Sequence, residues 1–292
     1  MSRVFQALQR SGMMPEIAPI ETGEVVPQQE FRAAADLLRE LREEASGGSL
    51  TDTPILPCRL TSANRLAALN EHGDLGAEKF SILGTRLNRL QEVHSVKRLL
   101  ITSSVKEEGK SLMAANIAIS LARHKAKRVL LIEGDLRQPK LGSLFGVQDL
   151  NGISEQLTDS APLTQNLYRF QDLSLWCLFA GRDCSRPLEL LQSPRLPVLL
   201  NHFSDMFDWV IIDAPPVAAV ADADLWSQLV DRVLIVVREG VTSKKVLRLT
   251  LNSIDPKLIC GVILNEAKEA QSQYMYYYGT PHRRGSKRGK TK

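Results

Sequence analysis

Residues 98–116, RLLITSSVKEEGKSLMAAN, constrain this chain more than any other stretch. The opening run Leu99-Leu100-Ile101 is apolar and short enough for a buried strand. A polar loop follows over 103–108, and Gly109-Lys110-Ser111 leads into an alanine-rich segment that reads as a helix. Strand, loop, Gly-Lys-Ser and helix is the plan of a phosphate-binding loop. The first N–H groups of a helix lack intrahelical partners, and the helix dipole adds partial positive charge there. Lys110 has the reach to meet β- and γ-phosphate oxygens, and Ser111 can present its hydroxyl to Mg²⁺. The match to G-x-x-x-x-G-K-[ST] is incomplete, because Ser104 stands where the pattern has glycine. A Gly-Lys-Ser tripeptide alone is more often a turn before a surface helix. Two further acidic stretches decide between these readings.

Residues 128–132, RVLLI, form a second apolar run, which leads into Glu133-Gly134-Asp135-Leu136-Arg137. Residues 207–212, FDWVII, form another, ending in Asp213-Ala214-Pro215-Pro216. Further strands are expected at 173–178, 233–237 and 259–264, with helical segments between them at 188–191, 196–203 and 243–253. Upstream, Phe80, Leu83, Leu87 and Leu90 fall at helical spacing and are expected to pack on the sheet. Strands that are near-continuous apolar runs, alternating with helices, imply an α/β fold: a mostly parallel sheet covered by helices on both faces. Such a sheet opens Lys110 with Ser111, Glu133 with Asp135, and Asp213 on one edge. Asp213 suits a magnesium ligand held through water, because Mg²⁺ keeps several waters. Either Glu133 or Asp135 can take a proton from a hydroxyl or help hold the metal. Taken alone, this acid pair is equally well read as a solvated turn. Lys110 and Asp213 on the same edge weigh against that reading.

The 292 residues suffice for one large domain plus extensions. No apolar run approaches the roughly 20 residues of a membrane span, and the N-terminal MSRVFQALQRSG lacks the apolar core of a signal peptide. A cytoplasmic location is expected. Cys58, Cys177, Cys184 and Cys260 show no paired metal-ligand spacing, and the five histidines are scattered, so a zinc site is not expected. Cys177 and Cys260 lie in apolar runs and read as core. After Pro281 come Arg283, Arg284, Lys287, Arg288, Lys290 and Lys292 with no acid; removing these six from the total of +4 leaves the rest at −2. The basic character therefore belongs to the tail. The expected organisation is a flexible leader with short helices over 1–75 (one helix at 31–44), a phosphate-loop domain over 76–266, and a disordered tail over 267–292. Four of the five tyrosines, Tyr274, Tyr276, Tyr277 and Tyr278, cluster in that tail.

These residues resemble the bacterial tyrosine autokinases of capsule and exopolysaccharide export, whose fold is that of the septum-site and plasmid-partition ATPases. The resemblance spans 78–278. Ile101-Thr102-Ser103 with Glu108-Gly109-Lys110-Ser111 resembles the first Walker motif. Leu130-Leu131-Ile132 through Asp135-Leu136-Arg137-Gln138-Pro139 resembles the family's additional acidic motif. Val210-Ile211-Ile212-Asp213-Ala214-Pro215-Pro216-Val217, with Asp222, resembles the second Walker motif. Gly261-Val262-Ile263-Leu264-Asn265 is similar to the family's last strand, where Asn265 resembles the residue that reads adenine.

The resemblance implies an ATP- and Mg²⁺-dependent protein-tyrosine kinase. It implies catalytic roles for Lys110, Glu133, Asp135 and Asp213. Nucleotide would be bound by Ser104, Glu108, Gly109, Lys110, Ser111, Leu112, Arg137 and Asn265, and metal by Ser111, Asp135 and Asp213. Tyr274, Tyr276, Tyr277 and Tyr278 would be phosphoacceptors. It further implies a membrane polysaccharide co-polymerase as activating partner, recruitment to the inner face of the plasma membrane, and a possible homo-oligomer; nucleic acid is not expected.

Three features depart from the family. Lys106-Glu107 replaces Pro-Gly, Glu133 replaces an aspartate, and Ser81 and Gly84 replace the arginines of the assembly pattern E-x-x-R-x-x-R, of which Glu78 remains. Glu107 is expected to weaken ATP binding by placing a carboxylate near the phosphates. The alternative reading is a partition-type ATPase, or a nucleotide-binding switch without kinase activity, which would have no need of the tyrosine cluster.

Overall fold

A seven-stranded sheet forms the centre of the protein, in the order β3-β4-β2-β5-β1-β6-β7. The structure, a computed structural model, describes residues 50–56, 65–70, 74–123, 127–158, 164–217 and 222–267. The strands are β1 Arg98–Ser103, β2 Val129–Glu133, β3 Tyr168–Arg169, β4 Leu175–Leu178, β5 Trp209–Asp213, β6 Arg232–Arg238 and β7 Ile259–Asn265. All neighbours pair in parallel except β3 with β4. The central strands are buried on both faces, which is why they read as continuous apolar runs. Successive residues still serve opposite layers. Leu99, Ile101 and Leu131 enter one core cluster, while Leu100, Leu130 and Ile132 enter the other.

Helices fill both faces: α1 Leu75–His94, α2 Lys110–Ala122, α3 Leu141–Phe145, α4 Ile153–Thr158, α5 Pro187–Leu191, α6 Arg195–Met206, α7 Asp222–Ser227 and α8 Lys244–Ser253. Asp74 caps α1, accepting from the Ala77 N–H at 3.0 Å, and Ser243 caps α8. Helix α2 is buried almost all round because α1 covers its outer side. The expected packing of Phe80, Leu83, Leu87 and Leu90 is found on this side. Gly84 of α1 lies against α2: a Cβ there would stand 2.8 Å from Ser120 Oγ, which donates to Phe80 O.

The short strand β3 was not expected from the sequence. It is also the place where the expected loose leader differs from the described residues. Ile55 bridges to Arg169 in parallel, Leu56 N donates to Arg169 O, and Trp176 Nε1 donates to Thr53 Oγ1 at 3.0 Å. Ala68 N donates to Asn116 Oδ1 of α2. Residues 50–56 and 65–70 thus pack on the sheet domain, because β3 leaves an open edge and Thr53 satisfies a buried indole. The helix expected at 31–44, Cys58 and the tail beyond Ala267 lie outside the described residues. Among those described, no helix is long and apolar enough to cross a membrane.

Candidate active site

Sheet register brings the site together. Asp213 at the end of β5 pairs with Ile101 of β1 on one side and Glu133 of β2 on the other. The loop after β1 therefore opens beside two acidic strand ends. Gly109 takes φ +89° at the start of α2, where a Cβ would collide with Asn265 Nδ2. No side chain caps this helix, and residues 109–112 line a cavity of about 450 Å³. Lys106, Lys110, Arg137 and Lys140 also line it, against Glu107 and Asp135. Four cations to two acids, at an uncapped helix start, suit a polyanion.

The floor of the cavity is an ion-paired cluster. Lys110 Nζ lies 2.8 Å from Asp135 Oδ2, 3.6 Å from Asp213 Oδ1 and 3.3 Å from Ser111 Oγ. Burial works against the Lys110 ammonium, but Asp213 and Asp135 outweigh it and raise its pKa. Asp213 is fully buried beside Ser111 and Lys110, the Lys110 ammonium 3.6 Å from Oδ1, but neither oxygen takes a hydrogen bond of ordinary geometry among the described residues. Burial pushes its pKa up to about 6. A buried carboxylate with unsatisfied oxygens beside a serine hydroxyl and a second aspartate is a donor set that fits a hard, oxygen-seeking cation. Ser104 Oγ, buried at the root of the loop, is also unpartnered.

The expected site residues separate into two groups. Gly109, Lys110, Ser111, Leu112, Asp135 and Arg137 line the cavity, with Asp213 directly beneath Lys110. Glu133 is turned away from it. Its oxygens accept from Lys140 N and Leu141 N at 3.1 and 2.8 Å, holding the start of α3, and it borders a second, smaller cavity with Phe179 and Gly181. Burial, then Asp213, push its pKa up to about 8. The carboxylate of Glu108 is likewise structural: it accepts from Val105 N at 2.8 Å and closes the loop. Asn265 donates to Glu108 O at 2.9 Å. Arg137 forms a two-pronged pair with Asp222, at 2.7 and 3.0 Å, tying the loop after β2 to the start of α7. That pair was not foreseen, since nothing in the sequence links positions 85 residues apart. The four tail tyrosines lie outside the described residues.

No protein-family model matches the chain. Among curated proteins it is similar to the tyrosine-protein kinase YwqD of Bacillus subtilis, 31% identical over 216 residues, covering 73% of this chain and 90% of that protein. It is 28% identical to the putative tyrosine-protein kinase CapB of Staphylococcus aureus, covering 70% and 90%. It is 35% identical over 174 residues to the succinoglycan biosynthesis transport protein ExoP of Rhizobium meliloti, of which it spans only 22%. Among solved structures, the kinase domain of the Escherichia coli tyrosine kinase ETK superposes with a TM-score of 0.63 at 29% identity, covering 68% of this chain and 79% of that one.

Proposed function

The chain belongs to the bacterial tyrosine-autokinase family and is a protein-tyrosine kinase, and from that premise we propose that it transfers the γ-phosphoryl group of ATP, with Mg²⁺, chiefly to its own tyrosines 274–278. The observation that carries this reading is the Lys110 ammonium held between Asp135 and Asp213 at the floor of a cation-lined cavity. Residues 109–112 offer backbone N–H groups to the phosphates, and Lys110 adds a fixed cation. Ser111, Asp135 and Asp213 are the residues that would hold the metal. When bound, Mg²⁺ supplies neutralisation of the phosphate charge. In the reaction the phenolic oxygen bonds to the γ-phosphorus, ADP leaves, and the phenolic proton passes to a carboxylate. Asp135 is assigned that role over Glu133, because it faces the cavity while both Glu133 oxygens are engaged by backbone N–H groups.

One relative is named a succinoglycan biosynthesis transport protein, and this supports making control of polymer assembly at a membrane partner part of the proposal. The domain division at 76–266, with leader and tail as appendages, is retained, with the amendment that 50–56 and 65–70 pack on the domain. The test is incubation of the full chain with Mg-ATP, alone and with the cytoplasmic segment of the membrane partner, followed by mapping of phosphotyrosine. Lys110→Met removes the central cation and keeps a good helix former. Expected is a loss of about 10²-fold or more in rate, an unchanged far-ultraviolet spectrum, and no product in EDTA. Equal phosphotyrosine in mutant and parent overturns the assignment.

A further inference from the structure

The phosphate loop is also gripped from the side away from the metal donors, by the ends of β6 and β7. Arg238, the last residue of β6, makes three attachments. Its NH1 donates to Glu107 O at 3.4 Å, its Nε pairs with Glu266 Oε2 at 2.7 Å, and its backbone N–H donates to Glu108 Oε1 at 3.4 Å. Asn265, at the end of β7, holds the next carbonyl, that of Glu108. Glu107 itself sits at φ +65°, a left-handed conformation that glycine takes freely and other residues adopt at a cost.

These contacts have one geometric consequence. In a trans peptide the carbonyl and the following N–H point in opposite directions. Tying the carbonyls of Glu107 and Glu108 to Arg238 and Asn265 turns the N–H groups of Glu108 and Gly109 the other way. Arg238 and Asn265 are not among the residues lining the cavity, whereas Glu107, Gly109 and Lys110 are. We propose that Arg238 is a positioning residue of the phosphate loop, holding Glu107 in its left-handed conformation so that the N–H groups before Lys110 are preset for phosphate. A glycine in place of Glu107 would need no such restraint; with glutamate there, the restraint comes from β6. This inference rests on the reading of the cavity as a nucleotide site.

The experiment uses the full chain, Mg-ADP as probe in calorimetry, and amide hydrogen exchange of residues 105–109 in the nucleotide-free protein. Arg238→Ala is expected to weaken Mg-ADP binding about threefold, the low end for a hydrogen bond because this one is long and exposed, and to speed exchange across the loop. Adding Glu107→Gly to Arg238→Ala is expected to restore most of the affinity. Since loss of the Glu107 carboxylate favours an anion by itself, Glu107→Gly alone is the reference: a merely structural role predicts the same loss on Arg238→Ala with or without Glu107→Gly, and positioning predicts a much smaller loss once Glu107→Gly is present. Arg238→Lys keeps a cation beside Glu266 but has no fork to reach Glu107 as well, so it should behave nearly as the alanine variant. Should Arg238→Ala fail to fold, Glu266→Gln loosens the guanidinium while leaving β6 intact, and is expected to show the same changes at smaller size. Unchanged affinity and exchange in these variants, or a loss that Glu107→Gly does not recover, overturns the proposal while leaving the nucleotide site standing. A parent that binds no Mg-ADP overturns both.

Discussion

At the scale of single residues, the site holds ionisable groups that folding does not favour in their charged form. Asp213 is raised by burial from its ordinary 3.8 to about 6, and Glu133 from 4.5 to about 8 by burial and by Asp213. Between the ordinary and the raised values the folded chain binds more protons than the unfolded chain. Stability contributed at low pH is therefore lost as pH rises, through about 6 for Asp213 and about 8 for Glu133. For Asp213 alone, two pKa units correspond to about 3 kcal/mol as an upper bound. The free protein is expected to melt at a lower temperature at pH 8 than at pH 5. Asp213→Asn should flatten the part of that decline that runs from the ordinary 3.8 to about 6, and melt above the parent at pH 8 while losing activity, since Lys110 keeps Asp135 at 2.8 Å. Scanning calorimetry at pH 5, 6, 7 and 8 checks this. A parent that melts higher at pH 8, with the Asn variant tracking it throughout, would show that the ionised carboxylate carries no cost.

At the scale of elements, the pairing of α1 with α2 bears on one of the two positions where the resemblance predicts arginine. Ser81 is exposed and imposes no steric bar to an arginine, but Gly84 is buried with Ser120 where its Cβ would lie. Gly84→Arg displaces the Ser120 hydroxyl, breaks its hydrogen bond to Phe80 O and sets a long charged side chain against α2. It is expected to cost about 1–3 kcal/mol, and Ser81→Arg to stay within about 0.5 kcal/mol of the parent, both measured by urea unfolding. Parent-like stability of Gly84→Arg would remove the steric explanation. The strands β1, β2, β4, β5 and β6 were legible in the sequence because burial on both faces leaves an unbroken apolar run; the edge strand β7 was legible from its apolar run 259–264 although it is only partly buried. β3, with two half-buried residues, and the strand-like pairing of Ile55 leave no such trace. The acid pair was legible as a pair, yet its division of labour was not. Asp135 lies two residues beyond the strand, in the turn that faces Lys110, whereas Glu133, a methylene longer than aspartate, reaches the start of α3. Only tertiary contacts, such as Arg137 with Asp222, separate such roles.

At the scale of the whole molecule, chain connectivity sets how far the tail can reach. Strand β7 ends at Asn265, whose side chain touches the phosphate loop, so the chain leaves the sheet beside the cavity. Tyr274 follows nine residues later, and nine extended residues span about 30 Å. By chain length alone, the cluster is within reach of its own site. The tail carries six cations beyond Pro281 and no acid. Each phosphate adds about −1.5 to −2 charge at neutral pH, so four would bring the tail from +6 to near or below neutral. A change of that size alters its attraction to an anionic membrane or to an acidic partner surface within a Debye length. Changing Tyr274, Tyr276, Tyr277 and Tyr278 all to Phe is expected to leave Mg-ADP affinity at the parent value, because the phosphate loop, Lys110, Asp135 and Asp213 are unchanged in that variant. It should remove nearly all phosphotyrosine and disturb polymer export in cells. Phosphotyrosine persisting at the parent level would rule out this cluster as the main acceptor and point to Tyr168, half-buried on β3, or to another protein as substrate.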